Sequence, residues 1–235
     1  MYSFGYTNPK GERLFMQFLV SYIKFDNKLN PNKLHLLDQK LIDLLDEINL
    51  KKYENFPYIQ YKIIDEKLWT VSYKNIGLKF IDKIINSDIS NISIEEINCN
   101  LVINRVSCKK LDLDFYKNKS FVYEIKNYIP FHSISYLTFT NLEKDKKKDY
   151  LTKFIKRHLH HFFRFIGFDR ETINNHSWMD LIDYQEKKTR ILYGAMVKSF
   201  DVIIKTNIFL PEYIGIGRFS KYSGGMIKLK EVINN

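Results

Sequence analysis

"SFDVIIKTNIFLPEYIGIGRFSKYSGGMIK", Ser199 to Lys228, gathers four of the 9 glycines of a 235-residue chain, Gly215, Gly217, Gly224 and Gly225, between positions 215 and 225. Glycine reaches positive φ and, lacking a Cβ, lets a ligand approach the main-chain N–H groups, so a loop of this composition can cradle phosphates. The same spacing also suits a β-turn with its bulges, and spacing alone leaves both readings open. A dinucleotide-binding fingerprint fits poorly, because the window closes on the strand-like "MIKLK" and not on a helix.

Upstream of this window, Tyr150 to Ile166 has the period of an amphipathic helix. Leu151, Ile155, Leu159, Phe162, Phe163 and Ile166 make its apolar stripe, while Lys153, Arg157, His160 and Arg164 follow one another on a second face. Three cations and a histidine with no interspersed acid suit a phosphate-binding ridge as well as a solvated surface. The run "EKDKKKD" at 143–149 reads as a flexible charged loop. Ser120 to Lys126, Arg190 to Asn207 and Ile214 to Leu229 are the β-rich stretches of this half.

The first half is more regular. Residues 13–24 read as a strand, and Asn30 with Pro31 opens a helix carrying Leu34, Leu37, Leu41, Leu44, Leu45 and Ile48 at helical spacing. Phe56 to Ile64 and Lys67 to Tyr73 flank Asp65-Glu66 as a hairpin, a second helix spans roughly 75–86, and Leu101 to Val106 is a further strand. Strand, helix, strand, strand, helix, strand is the ferredoxin-like order, and the second half reads as an imperfect repeat of it with the second helix eroded or missing.

The formal charge of +10 favours a polyanionic partner, nucleic acid ahead of an anionic membrane surface. Cys99 and Cys108 are too few for a disulfide framework, which suits a reducing cytoplasm. No apolar run reaches the length of a membrane span, and Leu14 to Ile23, broken by Gln17 and Ser21, is not expected to be a signal peptide. No acidic or His/Cys cluster has metal-ligand spacing, so neither metal nor cofactor is expected.

Phe200-Asp201-Val202, Lys205-Thr206-Asn207, Leu210-Pro211 and Tyr213-Ile214-Gly215-Ile216-Gly217 follow in an order and spacing that resemble the C-terminal signature of the CRISPR-associated repeat-RNA processing endoribonucleases of the RAMP superfamily. "FPYIQYK", Phe56 to Lys62, resembles the family's hairpin strand, and "HLHHFFRFIGF", His158 to Phe168, the helix before its last sheet. The window departs from the family's Gly-Phe-Gly ending, closing instead on Ser223-Gly224-Gly225, and "EINLKKYENFP" carries no histidine where relatives have one. The resemblance implies an α+β chain of two tandem ferredoxin-like (RRM-like) domains, 1–115 and 116–235. The second is the less regular and bears a glycine-rich RNA-binding loop at 213–228.

It further implies an endoribonuclease that binds CRISPR repeat RNA and cuts precursor transcripts into guide RNAs. The reaction is metal-independent attack of a ribose 2′-hydroxyl on the adjacent phosphate. A catalytically inactive guide-RNA-binding subunit, associated with other CRISPR effector subunits, is the alternative. Such chemistry needs proton transfer near neutral pH and positive charge at the phosphate. His35 on the first helix is the candidate acid or base, with Lys52 offsetting phosphate charge and Tyr53 orienting a hydroxyl. Gly215, Gly217, Arg218, Lys221, Tyr222 and Ser223 of the loop, with Lys153, Arg157, His160 and Arg164 of the helix, are the expected RNA-binding residues.

Overall fold

Aromatic and branched side chains in alternation draw the first described segment into a strand, β1 (Phe15–Lys28), whose two sides serve two different cores. Met16, Phe18, Val20 and Tyr22 enter one core, Ile23 and Phe25 the other. The computed structural model describes residues 15–44, 56–86, 101–190 and 196–234.

After a 3₁₀ turn at Pro31–Lys33, α1 (Leu34–Leu44) buries Leu34, Leu37 and Leu41 along one stripe. β2 (Ile59–Ile64) and β3 (Lys67–Tyr73) are joined by Asp65-Glu66, both at positive φ (49° and 62°), as the primed two-residue hairpin turn requires. α2 (Lys74–Asn86) packs Phe80, Ile81 and Ile84 beside α1, and β4 (Ile103–Asp114) completes an antiparallel sheet of order β2-β3-β1-β4.

The second unit runs β5 (Lys119–Tyr128), α3 (Ser133–Thr140), α4 (Lys144–Ile166), α5 (Arg170–His176), β6 (Met179–Arg190), β7 (Met196–Thr206) and β8 (Met226–Asn234). Its sheet order, β6-β7-β5-β8, repeats that of the first. Both sheets thus have the ferredoxin-like arrangement read from the sequence, and residues 207–225 stand where a second crossover helix would lie.

Five elements differ from the sequence reading. The charge run 143–149 is no loop: Lys144–Asp149 form the first turns of α4, exposed but helical, because lysine is a good helix former. β6 escaped notice because its sequence, "MDLIDYQEKKTR", is charged. It is an edge strand, where charge discourages pairing with other chains. The short helices α3 and α5 are too brief to show a period, and in the expected β stretch Ile214–Leu229 the strand begins only at Met226.

α4 ends at Gly167, φ 119°, where the Gly167 and Phe168 N–H groups both donate to Phe163 O. Its apolar stripe reaches into the first unit. Phe162 meets Phe18 edge-on at 5.9 Å and Phe56 at 5.3 Å, and Phe165 lies 4.7 Å from Tyr58. One core therefore spans both sheets. Phe162→Ala should cost about 3–5 kcal/mol, read as a lower urea midpoint in a single transition. A loss under about 1 kcal/mol would show that the helix does not bind the two units together.

Candidate nucleic-acid interface

Hydrogen bonds made by residues of the sequence signature anchor the approach to the segment between β7 and β8. The Asp201 carboxylate accepts from the Asn127 N–H at 2.9 Å and pairs with Lys187 at 2.5 Å. Asn207, nearly buried, donates from Nδ2 to His176 O and accepts the Trp178 N–H, and Leu210 N–H donates to the Tyr123 hydroxyl. From there the loop 213–225 closes on itself. Tyr213 N–H donates to Ile227 O, Ile216 N–H to Gly225 O, and Tyr222 and Gly224 N–H both to Phe219 O.

Its inner edge then docks on β2, the open edge of the first sheet. Tyr61 N–H donates to Lys221 O at 2.7 Å, Ser223 N–H to Tyr61 O at 2.9 Å, and Ile63 N–H to Ser223 Oγ at 3.0 Å. Tyr61 and Tyr222 form a parallel bridge. Two buried polar side chains of β2 complete the seam. Gln60 accepts the Gly215 N–H at 2.6 Å and donates to Gly215 O at 3.1 Å, and the Lys62 amine donates to Ser220 O at 2.5 Å.

This seam answers why glycine gathers here. A Cβ at Gly215 would meet Ser220 O and Gly224 O, each at 2.6 Å, and the Lys62 amine as well. Gly217 combines φ 82° with a Tyr128 ring 2.7 Å from its would-be Cβ. The room that glycine leaves at these two positions is filled by the protein's own atoms.

On one side, the docked loop reaches α1. The Tyr222 hydroxyl donates to Asp38 at 2.6 Å, and the Lys221 amine pairs with the same buried carboxylate oxygen at 2.5 Å. His35, one helical turn before Asp38 and 9% exposed, shares that part of α1. Lys52 and Tyr53 lie outside the described residues.

On the other side, Arg218 contacts exposed His132, and its backbone N–H donates to Ile129 O. Beneath it the Tyr128 hydroxyl and His158 Nδ1 are 2.6 Å apart. Burial, then the charges of Arg157, His161 and Arg218, push the His158 imidazole down to about 4, so it is neutral at physiological pH. Arg218 of the loop and Arg157 of α4 thus both act on the His158 imidazole. Arg157 lies over the Phe154 ring at 4.5 Å, and Lys153, Arg157 and Arg164 are exposed.

The expected ridge is divided. His160 turns into a cavity beside Trp178 and Asn174, with its imidazole lowered by burial and then by Arg170. His161, not singled out by spacing, sits instead in the fields of Arg157 and Arg164. Sequence reasoning also missed Gln60 and Lys62, although two polar residues at i and i+2 in a strand otherwise rich in apolar side chains were a visible signal. Among the described residues, no group of His, Cys, Asp and Glu could hold a metal ion, and no helix is long and apolar enough to cross a membrane.

No protein-family model and no curated protein matches this sequence. Solved structures do match the fold. A crystal structure of a CRISPR RNA processing endoribonuclease, Cas6b, aligns with a TM-score of 0.69 over 92% of this chain and 100% of that chain, at 17% identity. A Cas6 product complex aligns at 0.57 and 7% identity, and Csf5, a type IV Cas6 crRNA endonuclease, at 0.54 and 9%, each over 92% of this chain and 100% of its own. The class the architecture defines is therefore the tandem ferredoxin-like fold of the CRISPR RNA processing endoribonucleases.

Lys62 makes the seam sensitive to pH. Burial pushes its amine down from 10.5 to about 7. Between these values the unfolded chain binds a proton that the folded chain lacks, so stability rises with pH by up to about 1.4 kcal/mol per unit and is lowest below the folded value. Lys62→Met should flatten that rise in urea midpoints compared between about pH 7.5 and about pH 9.5. Parallel profiles for the two proteins would contradict a proton-poor buried amine.

Proposed function

We propose that the chain binds CRISPR repeat RNA across the docked loop and α4, and cleaves it by metal-independent transesterification. The observation that carries the reading is that Arg218 of the loop and Arg157 of α4 both lie close enough to His158 to act on its imidazole, on a fold shared over 92% of the chain with a CRISPR RNA processing endoribonuclease. Exposed Lys153, Arg157 and Arg164 neutralise backbone phosphates, and Arg218 extends the track onto the loop, which Lys221 anchors through Asp38. Tyr222 and Ser223 fix the loop edge that presents them.

In the reaction, a base removes the proton of a ribose 2′-hydroxyl and the 2′-oxygen attacks the adjacent phosphorus. The 5′-oxygen of the next nucleotide leaves with a proton from an acid, giving a 2′,3′-cyclic phosphate and a 5′-hydroxyl. His35 supplies one of these proton transfers. Lys52, on the segment after α1, stabilises the phosphate charge, and Tyr53 orients the hydroxyl. The low exposure of His35, 9%, is the observation that favours the binding-only alternative, a guide-RNA subunit held among other CRISPR effector subunits.

Incubation with the native repeat RNA in EDTA should give a single cut with a cyclic phosphate end. His35→Ala should lower the rate on the order of 10²–10⁴-fold with RNA affinity retained. Binding without cleavage by the natural protein would decide for the subunit. Replacing both Arg157 and Arg164 with alanine should weaken binding and reduce the slope of log affinity against log salt by about 1.4, two single-strand phosphates at about 0.7 each. An unchanged slope would leave α4 a merely solvated face.

A further inference from the structure

We propose that the cavity between α4, α5 and the start of β6 is a pocket for one unpaired RNA base, with the Trp178 indole as its stacking wall. The inference rests on the RNA-binding reading above and adds to it a place where RNA sequence can be read.

The cavity holds about 180 Å³, small for a drug-sized ligand and suited to one flat ring system. Leu159, Phe163 and Met179 make an apolar floor, and Trp178, 38% exposed, stands at its side. Every base has a π-face, so an accessible indole over an apolar floor offers a stacking platform. At the rim, the exposed Asn174 amide carries both a donor and an acceptor for a base edge, and Lys156 supplies a cation for the attached phosphate.

The backbone that bears the indole is held in advance of any ligand. The Trp178 backbone N–H donates to Asn207 Oδ1 at 3.0 Å, and its carbonyl accepts from Thr206 Oγ1 at 2.7 Å. The Lys205-Thr206-Asn207 segment of the sequence signature thus fixes the backbone that bears the platform, which lowers the ordering cost of binding.

The pocket also adjoins the phosphate track. His160 at its rim lies three residues after Arg157 and four before Arg164, so the three are neighbours on the surface of α4. A strand whose phosphates rest on the two arginines passes the pocket mouth, and one base turns inward beside Trp178.

The chain has 2 tryptophans, Trp69 and Trp178, so a Trp69→Phe background isolates the emission of Trp178. Short single-stranded oligoadenylate should quench that emission, while an abasic oligomer of equal length should bind by anisotropy without quenching it. Trp178→Leu should weaken oligoadenylate binding roughly 5- to 150-fold and leave the abasic oligomer unaffected, with Trp178→Phe recovering part of the loss. Asn174→Ala, at an exposed position, should retain the quenching but reduce discrimination among the four homopolymers. Oligomers that bind with Trp178 emission and Trp178→Leu affinity unchanged overturn the pocket and leave the RNA-binding reading in place. Failure of oligoadenylate, abasic oligomer and repeat RNA alike to bind overturns both.

Discussion

The structure turns on the seam between loop 213–225 and the edge of β2. A sheet edge exposes main-chain donors and acceptors that must find partners, and here the second unit supplies them, through Lys221 O and Ser223 to Tyr61 and Ile63. The buried side chains Gln60 and Lys62 would be costly without polar partners. Their partners are main-chain groups of Gly215 and Ser220, which approach closely only because Gly215 has no Cβ. Glycine, glutamine and lysine are therefore one device, divided between segments about 150 residues apart in the chain.

The seam sets the direction of everything the loop carries. With its inner edge fixed, Lys221 and Tyr222 are directed to Asp38 on α1, while Arg218 is directed to His132. Tyr213, Phe219 and Ser223 hold left-handed backbone, φ 66°, 56° and 65°, which residues with a Cβ keep only where their surroundings impose it. The Phe162 and Phe165 contacts with the first unit perform the same service from the opposite side, holding α4 against the first sheet. On the proposed function, this preorganisation of loop and helix lowers the ordering cost of binding phosphate.

Much of the fold was legible because its determinants are local. The leucine period of α1, the Asp65-Glu66 turn and the stripe of α4 each lie within a few residues of one another, and they place the elements in ferredoxin-like order. β6 was not legible, since its charged sequence reflects an edge position that only the assembled sheet defines. The same limit applies to the site. The glycine window was plain, but its purpose depends on Lys62 and Tyr128, which are distant in sequence. Helical spacing grouped His160 with Arg157 and Arg164, yet α5 and Trp178 draw it into an adjoining cavity, and only tertiary packing could show that.

On the proposed function, the docked loop, and not glycine as such, creates the RNA surface. Hydrogen exchange on Gly215→Ala, with repeat-RNA affinity measured on the same sample, tests it most directly. Protection should be lost together across Tyr61–Ile63 and 213–225, the rest of both sheets should stay protected, and RNA affinity should fall with the loop. Loss of loop protection with RNA affinity unchanged would contradict it.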